Sequence, residues 1–175
     1  MEYQQLLIAF CFDSLFIILS QQSQLTYAGK HLCTRDEAFY LLQFKQGLTI
    51  DPNAYHCDNR TFSWNVTGDC CQWDGVTCNG VTGHVIVLDL SSSCLRGIIN
   101  ANNSLTKLDH LQRFNLAFNN LDDFPLGISE LSCLTHLNLS HSRFNERGMI
   151  PPGLSKLSKL ISLDLSRNYS RKYTQ

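Results

Sequence analysis

Four leucine pairs at a nearly constant interval limit what this chain can become: Leu88-x-Leu90, Phe114-x-Leu116, Leu137-x-Leu139 and Leu163-x-Leu165. From Leu90 to Leu116 is 26 residues, from Leu116 to Leu139 is 23, and from Leu139 to Leu165 is 26. One such unit could belong to any globular core. Four in register predict coils, each with a short strand that turns its leucines inward and the residues between them to solvent. A single coil cannot bury its apolar side alone, so stability must come from stacking on its neighbours.

The fullest unit is Leu111-x-x-Phe114-x-Leu116-x-x-Asn119-x-Leu121, with Leu134 to Phe144 and Leu160 to Asn168 repeating it. A period of 20–29 residues with leucines at these offsets is the signature of leucine-rich repeats. The Asn at the turn is expected to bond backbone groups of neighbouring coils. Ahead of the ladder, Asp69-Cys70-Cys71-Gln72-Trp73-Asp74-Gly75-Val76-Thr77-Cys78 reads as a small disulfide-closed cap. Thr34-Arg35-Asp36-Glu37 matches a capping box at a helix start. Ala38, Leu41, Leu42, Phe44 and Leu48 follow at helical spacing, and Asp51-Pro52-Asn53 is expected to end that helix. Residues 53–69 read as a polar loop, Trp64 as packing on the cap, and residues 84–90 as a strand.

Residues 1–28 read as a secretory signal peptide: Leu6 to Phe12 and Leu15 to Leu19 are apolar, and Gln21-Gln22-Ser23-Gln24 is polar. No run of eighteen apolar residues is present, so no membrane span is expected in this chain. The net charge of −1, without a basic block, argues against nucleic acid. Eight cysteines and five Asn-x-Ser/Thr acceptors, at Asn59, Asn65, Asn102, Asn138 and Asn168, favour an oxidising, glycosylating compartment. The expected location is secreted, or the outer face of the plasma membrane as part of a longer anchored chain.

From Cys33-Thr34-Arg35-Asp36-Glu37-Ala38 and Leu41-Leu42-Gln43-Phe44-Lys45 through Trp64 to Cys78, the cap resembles that of plant extracellular leucine-rich-repeat proteins. Pathogen-perceiving receptor-like proteins are the nearest in kind. Thr82-Gly83-His84-Val85-Ile86 and Leu88 to Leu95 look like their first repeat, and Gly148-Met149-Ile150-Pro151 like their longer repeat. This chain departs from the pattern at Ser93 and Ser142, which replace Asn, at Phe124-Pro125, one residue short, and after Phe144, with two extra residues. The resemblance implies disulfides Cys33–Cys70 and Cys71–Cys78. It leaves Cys57, Cys94 and Cys133 unassigned; Cys57 with Cys94 is one pairing open to them.

The expected architecture is therefore a right-handed, curved α/β leucine-rich-repeat solenoid with an N-terminal disulfide-closed cap. Residues 29–83 form the cap, and residues 84–175 about four repeats without a closing cap, read as a truncated product. No cofactor or metal is expected: Cys71 and Cys78 are too widely spaced for a paired zinc site. No phosphate loop or nucleophile elbow is present, and a triad drawn from Asp89, Ser91 and His84 rests on nothing but residue type. Lys107, Asp109, Lys156 and Lys159 read as ordinary solvated charges. The better candidate is the concave face, with Arg113, Asn115, Phe118, His136, His141, Asp164 and Arg167 as ligand-binding positions, and Asp89, Ser91, Asn138 and Ser162 beside them. Against this stands a reading preferred for these first coils, in which they support a contact site further along. The implied function is a non-catalytic recognition module for a peptide, protein or microbial ligand in defence signalling, acting through a partner receptor kinase. The alternatives are a soluble inhibitor of a microbial cell-wall-degrading enzyme and a non-functional truncated product.

Overall fold

The structure is a computed structural model, and it describes residues 33–53, 57–100, 103–143 and 153–168. The expected signal peptide, the acceptor Asn102 and the insertion after Phe144 lie outside the described residues. Cap and coils belong to one compact unit, which begins at Leu32.

Helix α1 (Arg35–Gln46) starts where Thr34 caps it: the Thr34 hydroxyl oxygen accepts from the Glu37 amide at 3.2 Å. The reciprocal half of the capping box is missing. The Glu37 carboxylate instead accepts from the Thr34 hydroxyl and, 48 residues on, from the Val85 amide, which draws the helix onto the first coil. The helix ends at Gly47, not at Asp51-Pro52-Asn53. Gly47 and Leu48 turn their amides back to Phe44 and Lys45, and the next two residues are taken by a strand. Leu48 is therefore not helical.

Two sheets run along the coils. One has five strands in the order β2 (Val76–Cys78), β3 (Val85–Asp89), β5 (Arg113–Asn115), β7 (His136–Asn138) and β8 (Ser162–Asp164). β2 pairs antiparallel with β3, and the rest are parallel. The other joins β1 (Thr49–Ile50), β4 (Leu95–Gly97) and β6 (Asn120–Leu121). Short 3-10 turns at Ser104–Lys107, Leu126–Glu130 and Leu154–Lys156 form the opposite side of successive coils. α1 stands before them in that row, with the Ser104 hydroxyl donating to the Tyr40 carbonyl.

The repeating leucines fill the space between strands and turns. Leu88, Leu90, Leu116 and Leu139 are fully buried. Each buried leucine contributes about 1.5–3 kcal/mol over an exposed one. Stacking controls this: Leu137, with coils on both sides, is 2 % exposed, whereas Leu163, on which no described coil stacks, is 44 % exposed.

Buried Asn119 locks the coils as expected. Its Nδ2 donates to the carbonyls of Leu90 and Leu116, and its Oδ1 accepts from the Leu95 amide. Asn168 does the same two repeats on, with Leu139, Leu165 and Ser142. Ser142, in the Asn position, still donates its hydroxyl to Leu116 of the preceding coil at 2.7 Å.

The cap closes around Trp64 and Trp73, stacked at 5.4 Å, with Trp64 Nε1 donating to the Asp74 carbonyl. Disulfides join Cys33 to Cys70 and Cys71 to Cys78, and a third joins Cys57 to Cys94, which leaves Cys133 free among the described residues. The segment read as a polar loop is thereby tied to the first coil, and Arg60 adds an ion pair with Asp89 at 3.1 Å. Gly75 is obligatory. At φ 79°, a Cβ there would lie 2.2 Å from the Asp89 carbonyl oxygen.

Candidate recognition surface

The parallel register of β3, β5, β7 and β8 lines up two columns of outward side chains. Val87, Arg113, His136 and Ser162 form one; Asp89, Asn115, Asn138 and Asp164 form the other. Together they line a groove of about 390 Å³.

Members of the second column also end their strands. Each Oδ1 accepts from the amide two residues on: Ser91 on Asp89, Ala117 on Asn115, Ser140 on Asn138 and Ser166 on Asp164, at 2.9–3.0 Å. These Asx turns redirect the chain after every strand. They also act on the acids. Burial pushes the Asp89 carboxyl up, but the Ser91 amide and hydroxyl together with Arg60 outweigh it and hold the group below its ordinary value. The Ser166 amide and hydroxyl hold Asp164 down likewise.

In the first column, Arg113 Nη2 lies 3.5 Å from His136 Nε2. The Thr135 hydroxyl donates to the Gln112 carbonyl, so its oxygen accepts from His136 Nδ1 at 2.9 Å. This network assigns the proton to Nδ1 and leaves the Nε2 lone pair toward Arg113.

Phe118, His141 and Arg167, expected on the concave face beside Arg113 and Asn115, are not strand residues. With Ser92 they form a separate column on the turn after each strand, all in the left-handed region at φ 51–58°. The Asx turn explains the shift, since the chain has left the ladder by that point. Phe118 stacks on His141 at 4.3 Å, and both line a second groove of about 510 Å³ with Asp51, Asn120, Arg143 and the Cys57–Cys94 bridge. The seven expected positions thus divide. Arg113, Asn115, His136 and Asp164 share the strand groove, Phe118 and His141 the turn groove, and Arg167 continues the turn column. A visible sign of this is Asp or Asn with Ser two residues on, at 89, 138 and 164.

The acceptors divide as well. Asn65 is exposed with Thr67, whose hydroxyl donates to Asn65 Oδ1. Asn138 sits in the strand groove. Asn168 is the exception: it is 2 % exposed and its Nδ2 already makes both coil-locking bonds, so the folded site excludes a glycan there. No triad assembles from Asp89, Ser91 and His84. Ser91 bonds Asp89, but His84 stacks on His110 at 3.8 Å and turns Nδ1 toward Glu37 Oε2 at 3.4 Å, long for a hydrogen bond. The two rings are within 9° of parallel, so as placed their in-plane lone pairs do not converge on one ion.

Residues 35–79 match the family described as leucine rich repeat N-terminal domain, and residues 133–157 match leucine rich repeat. The chain is 43% identical over 125 residues to receptor-like protein Cf-9 of Solanum pimpinellifolium, across 63% of this chain and 14% of Cf-9. It is 38% identical over 110 residues to receptor-like protein 48 of Arabidopsis thaliana, across 62% of this chain and 14% of the relative. The chain thus spans about a seventh of the length of these curated relatives. Among solved structures it is similar to the BIR3–SERK2 complex from Arabidopsis thaliana: TM-score 0.57, 30% identity, covering 75% of this chain and 68% of that one.

Proposed function

We propose that this chain, which belongs to the plant leucine-rich-repeat receptor-like proteins, is the N-terminal part of a non-catalytic extracellular recognition module for a peptide or protein ligand. The paired columns on the parallel strands carry this reading. Arg113, Asn115, His136 and Asp164 present donors and acceptors along one groove, at the spacing of stacked strands, about 4.8 Å. An extended chain laid across the coils meets a new rung at each step, as repeat proteins allow. Arg113 is the natural anchor, with a planar fork that binds carboxylate or carbonyl groups.

The relatives' character as receptor-like proteins, and the BIR3–SERK2 pairing of a structural neighbour, support a role in which the ligand signals through a partner kinase. Defence is the expected setting, and the coils here extend and brace the face that a longer receptor presents. The test is a photo-crosslinking scan on the secreted protein exposed to microbial culture filtrate. Crosslinks at Arg113 or His136, absent at Lys107 and Lys159 and removed by protease treatment of the filtrate, are expected. Equal capture at all four positions would overturn the reading.

A further inference from the structure

On the cap, away from the strand groove, lies an apolar recess of about 390 Å³. Its floor is Leu42, Leu48 and Leu95, and its walls are Ile50, Phe62 and Val66. Phe62 is 85 % and Val66 86 % exposed, and with Ile50, 43 % exposed, they put apolar surface in water on one recess. The same recess is lined by Asn59, the acceptor of Asn59-Arg60-Thr61. Asn59 Oδ1 accepts from the Thr61 hydroxyl at 2.8 Å, while Nδ2, the atom that carries a glycan, has no hydrogen-bond partner among the described residues.

We propose that the first sugars of an N-glycan on Asn59 occupy this recess and form its missing cover. This rests on the extracellular reading above. The glycan comes from a lipid-linked pyrophosphate oligosaccharide: the bond from sugar C1 to Nδ2 forms, the C1–O bond to pyrophosphate breaks, and the amide gives up one proton. An N-acetylglucosamine has one face of C–H groups and an acetyl methyl, which suit the electron-rich face of Phe62 and the apolar walls. Its hydroxyls lie outward, toward the polar rim at Lys45 and Gln46. The tether makes the contact intramolecular, so even a weak sugar–aromatic attraction is populated. A glycan held here also shields the patch from other chains.

The test uses the full chain secreted from plant cells, as wild type, Asn59→Gln, Phe62→Ser and the double variant, with glycopeptide mass spectrometry and thermal unfolding of each. Asn59 is expected to be occupied, and Phe62→Ser to lower Tm by about 3 °C in wild type but by much less in the Asn59→Gln background. Equal shifts in both backgrounds overturn the proposal. So does an occupied Asn65 beside an empty Asn59, which leaves the extracellular reading standing; both sites empty overturns the two together. A wild-type dimer that Phe62→Ser dissolves would assign the recess to a second copy and overturn it as well.

Discussion

Replacing Asn119 by Ala removes four buried bonds at once, and the weakest, to the Ala117 carbonyl at 3.3 Å, matters least because the Ser92 amide also donates there. The Leu116 carbonyl keeps a partner, because the Ser142 hydroxyl also donates to it. The Leu90 carbonyl and the Leu95 amide lose the bonds that Asn119 supplies. A buried backbone group left unsatisfied costs about 1–3 kcal/mol, so Asn119→Ala should destabilise by roughly 3–4 kcal/mol. Asn119→Ser should be milder. Ser142 shows that a hydroxyl at this position reaches the carbonyl of the preceding coil, so Ser at 119 regains the bond to Leu90 and leaves only the Leu95 amide short. Its cost should be about half that of Ala. Urea unfolding of the disulfide-intact secreted protein, followed by far-ultraviolet circular dichroism, measures both. A loss below about 1 kcal/mol for Ala, or equal losses for Ala and Ser, would refute the reasoning.

Gly75→Ala should largely abolish secretion of folded protein, since the new Cβ meets the Asp89 carbonyl at 2.2 Å on a backbone at φ 79°; yield in the culture medium reads this out. Cys94→Ser opens a bridge of sequence separation 37 and should lower stability by roughly 4 kcal/mol in the chain-entropy account, measured by urea midpoint. It should also leave Cys57 open to thiol labelling. Asp89 has a folded pKa held below its unfolded value, so its contribution is present above about pH 4 and is lost as pH falls through the lower folded value. Asp89→Asn should therefore flatten the fall of Tm in acid, and an unchanged acid slope would contradict this.

The coil-building residues were legible because their period has one physical meaning. Leu88, Leu116 and Leu139 point inward, and Asn119 locks neighbours, as their spacing demands. Where two local rules competed for one residue, the sequence could not say which would win. Asn168 fits both a glycan acceptor and a coil-locking Asn, and the burial that locks the coil takes its Nδ2. Glu37 fits a capping box, yet an amide 48 residues away claims its carboxylate. The helix stop at Gly47 was hidden by the apolar Leu48 beyond it, and β1 exists only because β4 arrives to pair with it. Phe118 and His141 were legible as exposed but not as turn residues, since the Asx turns that move them off the strands depend on bonds rather than on period. The Cys57–Cys94 bridge joins two residues that only the folded cap brings together.

Non-reducing peptide mapping of the protein recovered from outside plant cells shows whether the chain is an extracellular cap-and-repeat module. Cys33–Cys70, Cys57–Cys94 and Cys71–Cys78 are expected as intact pairs, with a free thiol at Cys133 and a glycan on Asn65. Reduced cap cysteines and bare acceptors, in a chain retained inside the cell, would contradict that assignment.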